Sequence, residues 1–454
     1  MAMDLRNKTY LVEGLGVTGV AAVRLLSAHG ATVHVHDLKS ANNLQQRLTE
    51  ISGCANCSGT YGVELENLPP NLDGIVMSPG VPLDKPWIAE AKAAGIEVFG
   101  DVELMYRMLP EDAVVVGITG TNGKSTVTSL IGHILRVAGK KTFVGGNIGR
   151  AALDAFSTDE KYTHYVLELS SFQLDVIQSM HMDVAVLLNI TPDHLDRYGD
   201  FNAYKQSKAA IFKNLRDGDT AVINADDPHA MTLAQGLNGT SRYFSRTTEM
   251  PKGANCSTGA ITVSVDGAPE QYFLGQYQLV GAANVENMMA AILATRAMGI
   301  SPQIIDRALG SFHGLPHRLE FIGEKQSVKY INDSKATNPS ATVKAILGFA
   351  EPIIWLAGGS SKGLSFDELR DVVKDNVSQA LLFGESAQAI ADTVGDVCAC
   401  RMCENLEEAL AIAAEDAEPG DVVLLSPACA SFDQFRNFEH RGDMFRNIVK
   451  NHIL

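Results

Sequence analysis

The sequence predicts an α/β chain of about three units, and two glycine-rich turns and one regular alternation carry that prediction. Each glycine-rich turn follows a short apolar run and opens a helical stretch, first at Gly14 to Gly19 and again at Gly120 to Thr126. From Val328 onward, short β-branched runs alternate with helical stretches, the pattern of a parallel sheet covered on both faces. The length of 454 residues, at roughly 150 per domain, accommodates about three such units.

Composition narrows the class. Charged residues make up 20% and hydrophobic ones 46% of the chain, as in soluble globular proteins. Lys plus Arg number 37 against 53 Asp plus Glu, a formal charge of −16, so nonspecific binding to nucleic acid or an anionic membrane is not expected. An anionic ligand would need a local cationic site. No apolar run reaches the roughly 18 residues of a membrane helix, and the stretch Met1 to Tyr10 has no apolar signal core, so the expected location is the cytoplasm. Seven cysteines read as reduced thiols. Cys54-x-x-Cys57 and Cys398-x-Cys400-x-x-Cys403 have zinc-like spacing, but no second pair or histidine pair completes either set.

The first unit begins with the strand Thr9 to Glu13, the turn Gly14-Leu15-Gly16-Val17-Thr18-Gly19, an apolar helix, and the strand Ala31 to His36 ending at Asp37. The turn fits G-x-G-x-x-G of a Rossmann-like βαβ unit, in which glycines allow close backbone approach and the helix start attracts phosphate. Asp37 stands where such folds place a carboxylate for a ribose hydroxyl. A NAD site and glycines that serve packing alone are both compatible with these residues. Further strand-like runs at Gly74 to Ser78 and Glu97 to Phe99 close the unit near Asp101.

The second unit opens with Ala113 to Ile118, which delivers the chain into Thr119-Gly120-Thr121-Asn122-Gly123-Lys124-Ser125-Thr126 and a helix. This is a phosphate-binding loop: backbone N–H groups cradle oxygens, the lysine supplies a point charge, and the Ser/Thr hydroxyl reaches Mg²⁺. Ile118 stands where the ordinary pattern has its first glycine. Beyond it, Glu168 ends Tyr165-Val166-Leu167, and His194 follows the run Val184 to Asn189. Oxygen and imidazole groups at the carboxyl ends of strands beside a phosphate loop suit Mg²⁺, although each residue also reads as a cap or turn residue. On the predicted helix Asn202 to Leu215, Lys208 falls within the apolar stripe of Tyr204, Ile211, Phe212 and Leu215. An inward lysine is modified, paired with a carboxylate, or snorkelling.

The third unit starts near Leu315. Its strands are Val328 to Ile331, Pro352 to Leu356, Ala380 to Phe383 and Val422 to Leu425, with a helix from Pro339 to Phe349. Arg318, Asp333, Lys335 and Lys362 lie in loops at strand ends or at a Gly-Leu-Pro turn, where the basic groups can hold anionic oxygens.

In order along nearly the whole chain, Gly120 to Thr126, Glu168-Leu169-Ser170-Ser171-Phe172-Gln173-Leu174, Asp193-His194-Leu195-Asp196-Arg197, Gly314-Leu315-Pro316-His317-Arg318 and Asn332-Asp333-Ser334-Lys335-Ala336-Thr337-Asn338 resemble the Mur ligases. Ser426 to Phe435 and the N-terminal Gly-Leu-Gly-Val-Thr-Gly resemble the branch that adds D-glutamate to UDP-N-acetylmuramoyl-L-alanine. The resemblance implies a Rossmann-like domain for the UDP moiety over residues 1–102, a central P-loop-type ATPase domain over 103–314 and a Rossmann-like amino-acid domain over 315–454. The implied product is a peptidoglycan precursor; the chain is expected to act as a monomer, with no nucleic acid as partner and no membrane span.

The resemblance also assigns residues. Thr121, Asn122, Gly123, Lys124, Ser125, Thr126 and Val127 would wrap the ATP phosphates, and Asn284, Arg318 and Asp333 would complete the nucleotide site. Val17, Thr18, Asp37, Ser78, Pro79 and Gly80 match the uridine side, and Asn147 lies toward the muramoyl substrate. Ser125, Thr126, Glu168, His194 and Lys208 match two Mg²⁺ sites, with Lys208 carbamylated; Lys124, His194 and Lys208 are the expected catalytic groups. Lys335, Thr337, Lys362, Ser431 and Phe438 match the D-glutamate site. The rival readings are a sister ligase with another amino acid, a folylpolyglutamate synthase, a NAD-dependent dehydrogenase resting on Gly14 to Asp37 alone, and a noncatalytic nucleotide switch.

Overall fold

The computed structural model describes residues 3–265, 267–360, 363 and 365–454. Lys362, expected at the amino-acid site, lies outside the described residues. Two compact units result, one built from Met1–Asn255, Thr262–Glu270 and Met289–Ile305, the other from Cys256–Ile261, Gln271–Met288 and Asp306–Leu454.

The first unit holds a parallel N-terminal sheet and the parallel run of a larger central sheet. The N-terminal one has the order Cys57–Tyr61, Thr32–Asp37, Thr9–Glu13, Gly74–Met77, Glu97–Gly100, every pair parallel. Tyr10 and Val12 enter one hydrophobic cluster while Leu11 enters another on the opposite face, which is why the run is apolar throughout instead of alternating. The chain order reverses direction between Thr9–Glu13 and Gly74–Met77, and this switch opens a crevice at the carboxyl ends of those strands. Gly19 closes the turn: a Cβ there would lie 2.0 Å from the carbonyl oxygen of Gly14. The glycine is therefore required by backbone contact between helix and turn.

In the nine-stranded central sheet the parallel run is Gly253–Ser257, Thr240–Ser245, Thr220–Asn224, Val184–Leu187, Val114–Thr119, His164–Glu168, Thr142–Gly146. Val114–Thr119 therefore sits between the strands that end at Glu168 and Leu187. The helix expected over 202–215 is divided: an α-helix Phe201–Ala209, begun by the Asp200 carboxylate accepting from the Ala203 amide, gives way to a 3₁₀ turn Ala210–Phe212. The buried stripe survives the change, with Tyr204, Lys208, Ile211, Phe212 and Leu215 all inside.

The second unit contains a six-stranded sheet in the order Glu320–Lys325, Val328–Asn332, Val422–Leu425, Ile353–Gly358, Val377–Phe383, Ala399–Met402. The expected all-parallel sheet is corrected at one edge, where Glu320–Lys325 pairs antiparallel with Val328–Asn332. The connecting Gln326 and Ser327 both have positive φ, 51° and 64°, the backbone of a type I′ hairpin turn. Neither residue is the usual Asn or Gly, so the hairpin was not legible in the sequence. No helix among the described residues is long and apolar enough to cross a membrane.

Candidate active site

The phosphate loop lies between Val114–Thr119 and the helix Lys124–Val137, and Gly123 begins that helix with φ 82°, a conformation that favours glycine. Asn189, at the end of the neighbouring strand, holds the loop from one side. Its Oδ1 accepts from the Asn122 amide at 2.8 Å, its Nδ2 donates to the Asn122 carbonyl at 3.2 Å, and its own carbonyl accepts from the Thr121 amide at 2.9 Å. The Thr121 hydroxyl accepts from the Thr191 amide at 3.0 Å. Lys124 folds back, donating to the carbonyls of Gly120 and Thr121 at 3.0 and 2.9 Å, and Ser125 and Thr126 are buried at the first helical turn. Amides at a helix start, a lysine and two hydroxyls form the donor set of a polyphosphate site.

Glu168 is 3% exposed. Its Oε1 accepts from the Asn147 side chain at 3.0 Å, while its Oε2 is buried with no hydrogen-bond partner. An orphaned carboxylate oxygen is costly, and beside a phosphate loop a hard cation satisfies it. Lys208 is 2% exposed and donates to the Gly120 carbonyl at 2.8 Å, with Nζ 4.8 Å from the Tyr204 ring centre. Burial first, and then the charge of Lys124, bring its pKa down from 10.5 to about 7, against the opposing pull of Asp193, Glu168 and Asp175. The lysine thus stands under the phosphate loop with a large neutral fraction at physiological pH. His194 has a left-handed backbone, φ 51°, and its ring lies 4.9 Å from that of Phe172.

A cleft of about 1130 Å³ runs from Gly80 and Asp84 to Phe172, His194 and Ser207. Arg197 spans it, donating to the Val81 carbonyl at 2.8 Å while its guanidinium lies 4.7 Å from the Phe172 ring centre. Sequence reasoning passed over Arg197 and Asn189, although both stand beside expected site residues. At the N-terminal crevice, Asp37 spends both oxygens on backbone amides, those of Leu15 at 2.7 Å and Lys39 at 2.8 Å. It braces the glycine turn and retains one lone pair on each oxygen. Ser78 donates to the Gly14 carbonyl at 2.8 Å; Pro79 and Thr18 are half-buried, and Val17 and Gly80 are exposed at the same edge.

In the second unit, Asp333 is buried, accepting from the Ser426 hydroxyl at 3.0 Å and the Leu319 amide at 3.2 Å, and burial pushes its carboxyl up to about 7. Lys335 is exposed, its Nζ 5.3 Å from the Phe438 ring centre. Thr337 is half-buried and bonds through its amide to the Lys335 carbonyl at 2.9 Å. Ser431 is buried next to Ala430, which pairs with Ser360. Arg318 is half-buried. Asn284 is buried and donates to the Val280 carbonyl at 2.8 Å while accepting from Asn287 at 3.1 Å. Arg441, absent from the sequence-based set, joins the loops that carry Lys335, Ser360 and Ser431. It is fully buried and donates to Ser334 Oγ and to the carbonyls of Ser334, Gly358, Cys429 and Ala430.

Comparison with known proteins places the chain. Residues 8–100 match the model of the Mur ligase MurD-like N-terminal domain, 118–295 the Mur ligase middle domain, and 317–429 the Mur ligase glutamate ligase domain. The UDP-N-acetylmuramoylalanine–D-glutamate ligase of Koribacter versatilis is 40% identical over 99% of this chain and 98% of its own. That of Clostridioides difficile is 39% identical over 99% of this chain and 100% of its own. Among solved structures, a pseudomurein peptide ligase type C from Methanothermus fervidus shares the fold, with a TM-score of 0.58 at 20% identity over 98% of this chain and 99% of that one. With relatives this similar from end to end, and all three domain models in order, the chain belongs to the Mur ligase family.

Proposed function

We infer that this chain joins D-glutamate to the alanyl carboxylate of UDP-N-acetylmuramoyl-L-alanine at the expense of ATP, giving ADP and phosphate, as a step of peptidoglycan precursor synthesis in the cytoplasm. The observation that carries the reading is end-to-end similarity to ligases of that name at about 40% identity. The phosphate loop, with Glu168 and the buried Lys208 beside it, supports it.

A carboxylate does not form an amide directly, because oxide is too poor a leaving group. Transfer of the γ-phosphoryl group of ATP to the alanyl carboxylate gives an acyl phosphate; attack by the D-glutamate amine then gives a tetrahedral intermediate that expels phosphate. The protein contributes position and charge to both steps. The loop from Thr121 to Val127 would hold the ATP phosphates, with Lys124 released from the Gly120 and Thr121 carbonyls to reach them. Arg318, Asp333 and Asn284 would complete the ATP site. Val17, Thr18, Asp37, Ser78, Pro79 and Gly80 would hold the uridine diphosphate, and Asn147 would lie near the muramoyl group.

Ser125, Thr126, Glu168, His194 and a carbamylated Lys208 would hold Mg²⁺ at two sites, and the orphaned oxygen of Glu168 fits that role. When bound, Mg²⁺ offsets the charge of the phosphates. The depressed pKa of Lys208 leaves a nucleophilic amine for carbon dioxide, and the carbamate would supply the anion that an ammonium cannot. Lys335, Thr337, Lys362, Ser431 and Phe438 would surround D-glutamate. The domains would run 1–102, 103–314 and 315–454, and the chain would act as a monomer.

The test is phosphate release from Mg-ATP and UDP-N-acetylmuramoyl-L-alanine with D-glutamate, L-glutamate, L-lysine or meso-diaminopimelate, with Lys124→Ala as control. Release with D-glutamate alone, abolished in the control, is expected. Turnover with another amino acid instead would overturn the acceptor assignment and leave the ATP chemistry standing.

A further inference from the structure

In the N-terminal sheet Glu13 stands opposite His36 in the parallel register. Their side chains meet with Oε2 2.7 Å from Nδ1, and both residues are sealed from solvent. The other ring nitrogen, Nε2, lies 2.9 Å from the Val63 carbonyl oxygen. A carbonyl only accepts, so Nε2 carries a hydrogen. Nδ1 is then either protonated against a carboxylate or bare and accepting from a protonated Glu13. In both states the pair holds one proton more than a neutral imidazole beside a carboxylate, and its net charge is zero.

The surroundings favour keeping that proton. Desolvation is the largest influence on Glu13 and raises its pKa, with Asp37 acting in the same direction and His36 and Lys85 against it. Lys85 is bridged to Glu64, so the charged groups about the pair are Asp37 at its own strand end, Glu64 beside Val63, and Lys85. The backbone of the same two residues builds the crevice. The Gly14 amide donates to the His36 carbonyl at 2.7 Å, the Ser78 amide to the Glu13 carbonyl at 2.9 Å, and the Gly62 amide to the Asp37 carbonyl at 3.0 Å. Gly14 and Ser78 therefore hang on the carbonyls of His36 and Glu13, and Asp37, which follows His36 in its strand, holds Leu15 and Gly62.

We propose that Glu13 and His36 are positioning residues for the uridine nucleotide, their shared proton fastening the segment at Val63 and keeping the crevice floor uncharged beneath an anionic ligand. The proposal rests on the reading that this nucleotide lies at the Gly14 to Asp37 edge. When the proton passes to solvent, a neutral imidazole remains beside a carboxylate. Its single hydrogen then faces either Glu13 or Val63, so one of the two bonds breaks, and a net negative charge appears next to Asp37.

The test is calorimetric binding of UDP-N-acetylmuramoyl-L-alanine without ATP, from about pH 6 to about pH 9.5, for the parent protein, Glu13→Gln, His36→Leu and Asp37→Ala. The glutamine amide donates to a bare Nδ1 and preserves the Val63 bond at every pH. Glu13→Gln is therefore expected to match the parent at low pH and to lack the parent's weakening, about tenfold, toward high pH. His36→Leu is expected to bind about tenfold more weakly than the parent at low pH. Superimposable profiles of the parent and Glu13→Gln would overturn the proposal whether or not His36→Leu folds, because the glutamine is isosteric. Parent-like binding by Asp37→Ala would overturn the placement of the nucleotide itself, whereas weakened binding by Asp37→Ala with superimposable parent and Glu13→Gln profiles would sink only the role of the pair.

Discussion

Replacing Arg441 by lysine tests whether one buried cation organises the loops proposed to hold D-glutamate. The guanidinium donates from Nε to Ser334 Oγ at 3.0 Å, from Nη1 to the Gly358 and Ala430 carbonyls at 3.3 and 3.4 Å, and from Nη2 to the Ser334 and Cys429 carbonyls at 2.9 and 3.0 Å. These acceptors lie at the last residue of Ile353–Gly358 and in the loops that leave Val328–Asn332 and Val422–Leu425. An ammonium keeps the charge but has three donors on one atom, so at least two of the five acceptors lose this partner. The Ala430 carbonyl keeps the Ser360 amide at 2.9 Å, so at about 1–3 kcal/mol for each buried acceptor left unmade, Arg441→Lys should cost roughly 1–6 kcal/mol. Denaturant unfolding measures that loss, and hydrogen exchange at residues 334–337 and 429–431 locates it. Because the same loops carry Lys335 and Ser431, the KM for D-glutamate should rise at least about tenfold while that for the UDP substrate stays within about twofold. A variant within about 0.5 kcal/mol of the parent, with its D-glutamate KM unmoved, would refute the reasoning.

Lys208→Met separates stability from function. The folded chain holds this lysine near pKa 7 against 10.5 for the free group, so in that window it binds fewer protons than the unfolded chain, and stability falls as pH drops from 10.5 toward 7. In buffer free of carbon dioxide the methionine variant should therefore be more stable by about 4 kcal/mol at pH 7, and the advantage should shrink by about 1.4 kcal/mol per pH unit on going upward until it is gone near pH 10.5; turnover should be lost at every pH, and a pH-independent difference would contradict this linkage. Burial raises Asp101 from 3.8 to about 6, so the stability it contributes below about pH 4 is lost as pH rises through 6. Asp101→Asn should gain about 3 kcal/mol at pH 7 and at most about 0.5 kcal/mol at pH 4 in thermal unfolding. Arg197→Ala removes the tie to the Val81 carbonyl and the Phe172 stack; it should fold normally and raise the KM for the UDP substrate about three- to tenfold, and an unchanged KM would dismiss that role.

Local chemistry was legible and closure was not. The phosphate loop is read from adjacent residues because a strand, a glycine turn and a helix start are all local features. Lys208 was conspicuous because a charge interrupts an apolar stripe. Its partner was not predictable, since the Gly120 carbonyl is 88 residues away and nothing on the helix specifies it. Arg441 reads in sequence as one more polar residue of the helix Phe438–Ile448. Only the packing of three strand ends against that helix turns it inward. The antiparallel edge strand was lost because Gln326 and Ser327 carry the turn without the residues that usually announce it.

Glu13 exposes the limit of the rule that worked best. A polar residue ending an apolar strand singled out Glu168, and the same rule, applied evenly, singles out Glu13, the last residue of its strand. What made Glu168 noticeable was a phosphate loop that announces itself by its own motif, whereas His36 carries no motif and becomes a partner only when the two strands pair in register. Two buried titratable groups of opposite type at one register position are a property of the sheet. The residues that build a site can therefore be read one by one, while those that hold it in place become visible only after the strands have been paired.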